Sequence, residues 1–179
     1  MKNRFLAASA VIAAASAILL ASCTSQAPKR AQIPSPSVPE TAMTTVHATG
    51  PFDVKLSPQT LAVEDNIEGA TRGRMSIDKQ FHGDLEATSK GEMLSAMSST
   101  PGSAGYVAIE KVSGTLHGRS GSFVLQHNAT MTRGAPALNI IVVPDSGTGE
   151  LAGLSGTMAI IIADGKHSYA FDYTLAAMP

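Results

Sequence analysis

The sequence predicts an all-β protein, a sandwich or a barrel, and three observations carry that expectation. The first is alternation. Met75, Ile77, Lys79 and Phe81 alternate with Arg74, Ser76, Asp78 and Gln80, and Phe123, Leu125, His127 and Ala129 alternate with Ser122, Val124, Gln126 and Asn128. His167, Tyr169, Phe171, Tyr173 and Leu175 alternate with Lys166, Ser168, Ala170, Asp172 and Thr174. A period of two puts each set on its own face of a strand. The second is punctuation: Ser113-Gly114, Gly118 to Gly121, Asp145 to Gly149 and Asp164-Gly165 break the apolar runs. Asp164-Gly165 followed by Lys166 is the strongest hairpin signal of the chain. The third is spacing, with about eight strand-like segments at roughly 8–12-residue intervals, the rhythm of all-β architectures.

In chain order the segments fall at 43–49, 51–57, 73–86, 104–113, 121–132, 138–143, 155–163 and 166–175. Segment 104–113 has two apolar faces, with Tyr106, Ala108 and Val112 beside Glu110 on one and Val107 and Ile109 on the other. Helix-like composition is confined to 85–99, through Leu85, Met93, Leu94 and Met97, and Gly91 and several serines interrupt it.

The amino terminus has a different character. Lys2 and Arg4 precede an uncharged stretch from Phe5 to Ala21 that ends in Leu20-Ala21-Ser22-Cys23. A charged start, a short apolar core and small residues before a cysteine describe an export signal and not a spanning helix. Leu-Ala-Ser-Cys resembles the lipobox of bacterial lipoproteins. The resemblance implies removal of residues 1–22, lipid on Cys23 and a place in the cell envelope. Thr24 stands where inner-membrane retention usually wants Asp, so the outer membrane, facing the periplasm, is the expected destination. Residues 24–40 hold Pro28, Pro34, Pro36 and Pro39 among polar residues and read as a tether within 23–41. A single β-domain is expected over 42–179.

Two of the 13 basic residues leave with the signal and none of the 14 acidic ones, so the formal charge falls from −1 to −3. A mildly acidic module without a basic patch is not a nucleic-acid binder. The absence of Trp and an aromatic share of 4% argue against a stacking surface for bases or sugars. The single cysteine excludes a disulfide within the monomer, so packing and backbone pairing must supply the stability.

Three blocks support a family resemblance: Gly105 to His127, Val143 to Gly156, and His167 to Leu175. Together they resemble a bacterial family catalogued only as a domain of unknown function, over about residues 42 to 176. The family's fold is similar to plant allene oxide cyclase, which implies an eight-stranded antiparallel closed barrel. The resemblance implies no activity.

Several motifs suggest chemistry. Ser76-Ile77-Asp78-Lys79 fits the Ser-x-x-Lys pattern of penicillin-recognising enzymes, but in a period-two segment positions three apart face opposite ways, and the partner motifs are missing. Gly147-Thr148-Gly149-Glu150-Leu151-Ala152 fits a dinucleotide pattern after an apolar strand, but Gly153, Ser155 and Gly156 forbid the helix that pattern needs. His47, His82, His117, His127 and His167 include no pair at close ligand spacing, so neither a metal nor another cofactor is expected. Asn128-Ala129-Thr130 is a sequon that bacteria generally leave unread. Arg119 reads as a loop residue.

His127 and Glu110 stand out because each sits among apolar residues on one strand face. Their segments are consecutive and are expected to pair antiparallel, which makes the two neighbours if both point inward, with Tyr169 or Tyr173 nearby. Such a group either orients a ligand or moves a proton in a barrel pocket, or is a buried pair that fixes register. The combined expectation is a membrane-tethered barrel that binds a small apolar molecule, with Glu110, His127, Tyr169 and Tyr173 as pocket candidates. The alternatives are an isomerase or cyclase on an apolar substrate, and a ligand-free structural barrel.

Overall fold

A computed structural model describes residues 44–63 and 68–175. The expected signal, Cys23 and the tether lie outside the described residues. Eight strands follow one another: β1 (Val46–Pro58), β2 (Ala70–Phe81), β3 (Leu85–Ser98), β4 (Ala104–Leu116), β5 (Arg119–Thr132), β6 (Ala135–Val142), β7 (Leu154–Ala163) and β8 (Lys166–Leu175). A 3-10 turn, Gly149–Leu151, lies between β6 and β7. The strands close into an antiparallel barrel in chain order, each paired with its neighbours in sequence, and β8 returns to β1. The seam runs from Val46 opposite Tyr173 to Phe52 opposite His167.

Eight strands were expected and eight are present, but two boundaries differ. Segments 43–49 and 51–57 are one strand, β1, which runs through Gly50 and Pro51. Gly50 is there because a Cβ would sit 1.9 Å from the carbonyl oxygen of His82, which packs against it. Segment 73–86 is two strands: β2 ends at Phe81 and β3 begins at Leu85. The stretch with helix-like composition is therefore β3. Leu85, Ala87 and Ser89 are buried on its inner face, while Glu86, Thr88 and Lys90 are exposed. Small inward residues hide that alternation from a hydrophobicity pattern.

The expected Asp164-Gly165 hairpin is formed, with φ of 51° and 72°. Positive φ at both central residues suits the strand twist of two-residue hairpins. His117-Gly118 and Arg133-Gly134 share that signature.

One end of the barrel is filled. Phe81, Leu85, Leu116, Phe123, Leu151 and Phe171 are all no more than 1% exposed there. Phe123 stacks on Phe171 with ring centroids 5.8 Å apart, and Phe81 meets the edge of Tyr169 at 5.6 Å. Leu151 arrives from the 3-10 turn, so the β6–β7 connection acts as a plug. Its backbone and side chains are held on β5: Thr148 N–H donates to Ser122 O at 2.8 Å, and Ser120 N–H donates to Glu150 Oε2 at 2.8 Å.

The other end is open. β4 and β5 pair continuously from Ala104–Met131 to Leu116–Arg119, whereas β6 and β7 are in register only at Ile141–Thr157. Toward the open end Ala135–Asn139 and Ile161–Ala163 are exposed.

Candidate functional site: a buried ion cluster beneath an apolar cavity

Alternation turns four polar side chains inward at the middle of the barrel: Lys79 from β2, Ser89 from β3, Glu110 from β4 and His127 from β5. Register explains how they meet. Lys79 stands opposite Ser89, Glu110 opposite Gly91, and His127 opposite Ala108. Gly91 supplies the room, since a Cβ there would lie 2.8 Å from the Cα of Glu110 and 2.4 Å from the carbonyl oxygen of Ile109.

Glu110 is the centre of the cluster and is 0% exposed. Lys79 Nζ donates to its Oε2 at 2.7 Å, and Ser89 Oγ donates to Oε1. His127 Nε2 lies 3.0 Å from Oε2, yet off the line a hydrogen bond needs, so this buried nitrogen has no fully formed partner. The Lys79 ammonium also sits 5.3 Å and 5.6 Å from the ring centroids of Phe52 and Phe81, where the ring faces favour a cation. Burial pushes the Glu110 carboxyl up, but the His127 ring, the Lys79 ammonium and the Ser89 hydroxyl outweigh it and hold the pKa at about 2. Burial, and then the Glu110 charge, push the Tyr106 phenol above its ordinary value, so it stays protonated at neutral pH.

Above the cluster the barrel is hollow. A cavity of about 360 Å³ is walled by Phe52, Val54, Ile77, Met93, Leu138 and Ile160 among others. Its polar lining consists of Lys79, His127, Tyr106 and His167. Lys79 and His127 are buried, whereas Tyr106 and His167 are half-buried. A second hollow of about 470 Å³ shares Met93, Tyr106, Leu138 and Ile162 with the first and reaches Met97, Met131 and Pro136.

The structure brings Glu110 and His127 together inside the barrel and adds Ser89 and Lys79, the latter singled out in the sequence only as the end of the Ser-x-x-Lys pattern. Tyr169 and Tyr173 do not join them. Both point inward, but at the filled end. The Tyr169 hydroxyl accepts from Leu85 N–H at 2.8 Å and lies 3.1 Å from the carbonyl oxygens of Thr49 and His82, while Tyr173 Oη is 2.8 Å from His117 Nδ1. Burial raises the pKa of both phenols. Neither lines the cavity, because Phe171 and its neighbours fill the space between. Ser76 is on the other face of β2 from Lys79, against Ser57 and Gln59. Among the described residues no group of three His, Cys, Asp or Glu side chains could hold a metal ion.

Residues 48–173 match the family described as a protein of unknown function, DUF3224. The chain belongs to that family. A crystallised DUF3224 protein of unknown function from Shewanella oneidensis MR-1 is 55% identical, with a TM-score of 0.70. The match covers 75% of this chain and 99% of that one. No curated protein matches the chain. Membership of DUF3224 brings a barrel and no assigned activity, so the chemistry must be read from this chain's own cavity.

Lys79 could have been found in the sequence. It is a cation at an inward position between Ile77 and Phe81, and a charge there requires a buried partner. Ser89 and Gly91 gave no such signal, because small residues on an unrecognised strand carry no pattern.

Proposed function

We propose that this DUF3224 barrel is a binding module for a small, mostly apolar molecule held in the open half. The observation that carries the reading is the cavity itself, with apolar walls that end on a buried Lys–Glu–His cluster. Pockets of this kind bury an apolar body and use a few polar groups to orient it. An eight-stranded barrel has room for one such ligand. At roughly 30 Å³ for a water-sized group, the first hollow of about 360 Å³ alone admits about a dozen heavy atoms, and the adjoining hollow of about 470 Å³ extends that space for a larger molecule.

The solid barrel of the structural alternative is disfavoured because only one half is filled. The isomerase or cyclase reading, which comes only from the resemblance to allene oxide cyclase, needs a base in contact with the substrate. Glu110 lies behind Lys79, a carboxylate with a pKa of about 2 is a weak base at neutral pH, and His127 Nε2 is buried against Glu110 Oε2 at 3.0 Å and not turned into the open space. Function follows sites and not folds, so binding is the better-supported reading.

The test is native mass spectrometry of the protein purified from its own envelope, together with titration by the neutral dye N-phenyl-1-naphthylamine. A bound small molecule, or dye binding that Met93→Trp abolishes by filling the cavity, supports the reading. An empty protein that binds no dye refutes it.

The second part of the proposal is location. Lipid on Cys23 would hold the barrel at the envelope, at the outer membrane on the Thr24 argument, and the support is the Leu20 to Cys23 motif behind its charged and apolar lead. Cys23→Ala should leave the precursor uncleaved. A mutant that matures and fractionates like the wild type would remove the anchor.

A further inference from the structure

We infer that the cavity takes an uncharged molecule bearing one hydrogen-bond-accepting oxygen, a ketone or ester carbonyl, with that oxygen on Lys79 Nζ, and that it disfavours the matching carboxylate. The inference rests on the binding reading above and adds the chemical class of the ligand.

Charge balance is the first argument. Lys79 and Glu110 form a neutral pair at 2.7 Å, 6% and 0% exposed. Lys79 is the only Lys or Arg among the described residues that line this cavity. A carboxylate brought onto this floor would add a net negative charge beside Lys79, Glu110 and His127, all of them buried, and buried charge without a counter-charge is strongly disfavoured. A neutral head leaves the balance intact.

Donor balance is the second. An ammonium has three N–H donors and no acceptor. One goes to Glu110, and among the described residues no other protein acceptor takes the remaining two. Both Glu110 oxygens are engaged, by Lys79 and Ser89. Next to Lys79, His127 Nε2 is buried without an aligned partner. The floor therefore has ammonium donors to spare, while both Glu110 oxygens are buried and engaged within the cluster, which leaves an incoming ligand to supply the acceptor. The walls offer aliphatic groups and the Phe52 ring, which leaves the rest of the molecule apolar.

The experiment displaces N-phenyl-1-naphthylamine from the intact protein at neutral pH with octane, 2-octanone and octanoate. A hydrogen bond to a charged donor predicts that 2-octanone binds at least tenfold tighter than octane, and octanoate at least tenfold weaker than the ketone. The carbonyl stretch of bound 2-octanone should move to lower frequency, as hydrogen bonding requires. In the double variant Lys79→Met with Glu110→Leu, the ketone should lose at least tenfold relative to octane, because its carbonyl is then buried without a donor, and the carbonyl shift should vanish. Octanoate binding as tightly as the ketone, or ketone and octane binding alike to the wild type with an unshifted carbonyl, overturns the ligand class while leaving cavity binding intact. Failure of all three probes to displace a dye that does bind, or of the dye to bind at all, removes the cavity reading and this inference with it. The wild-type measurements decide the question even if the double variant does not fold.

Discussion

Toward the filled end of the barrel, Phe81, Leu85, Leu116, Phe123 and Phe171 interdigitate under the Leu151 plug. Toward the open end the same eight strands present Val54, Met93, Leu138 and Ile160 around empty space. The difference lies in side-chain volume and in pairing. The filled half has aromatic rings stacked across strands and a connection folded back onto β5. The open half has aliphatic residues that do not span the barrel, and there β6 and β7 lose their register. Between them lies the Lys79–Glu110 pair, which hydrophobic residues of similar size could replace with little loss or even a gain in stability. Stability comes from one half, and the other is free to be a site.

The largest test of that division is a matched pair of truncations. Phe171→Ala should cost about 3–5 kcal/mol by the transfer and cavity cost of a buried ring. Ile162→Ala, 66% exposed at the open rim, should stay within about 0.5 kcal/mol. Chemical denaturation measures both, and equal losses would erase the contrast. Lys79→Met alone strands the Glu110 carboxylate and should cost about 3–5 kcal/mol, whereas the double change with Glu110→Leu should recover most of it. A double variant as unstable as the single one would mean that the cluster is not self-contained.

Acid should act on the same pair. Glu110 has a folded pKa of about 2 against an ordinary 4.5, so its contribution is full above pH 4.5 and is lost as pH falls toward 2. That contribution is on the order of 3 kcal/mol, and stability measured from pH 5 to 2 should fall by that much less in Glu110→Gln. The smallest effect within the cluster belongs to His127→Leu, at about 1 kcal/mol, because Glu110 keeps Lys79 and Ser89. A loss as large as that of Lys79→Met would make His127 a full member of the ion cluster.

The filled half was the more legible in the sequence. Phe123 and Leu125 alternate with Ser122, Val124 and Gln126, and Tyr169, Phe171 and Tyr173 with Ser168, Ala170 and Asp172, and the faces read from them are the faces observed. Glu110 and His127 were readable as neighbours by the same alternation. What escaped detection depends on close approach between strands. Gly50 looks like the end of a strand because its missing Cβ makes room for His82. Gly91 and Ser89 look like interruptions because they make room for Glu110. Tyr169 and Tyr173 share a face with the cluster, but a period of two says nothing about height along the barrel axis, so their place at the filled end could not be derived.

The seam between β1 and β8 also bears on how the chain assembles. Every other neighbour pair is joined by a connection within the local sequence, while His47 and Asp172, which meet at the seam, are 125 residues apart. Each doubling of a loop adds about 0.6 kcal/mol of closure entropy, so going from a hairpin of a few residues to this span adds roughly 3 kcal/mol. That cost predicts that ring closure follows hairpin formation, since contacts local in sequence form before distant ones. The Tyr169 hydroxyl, in contact with β1 through Thr49, with the start of β3 through Leu85, and with the His82 carbonyl between β2 and β3, is the latch that marks its completion.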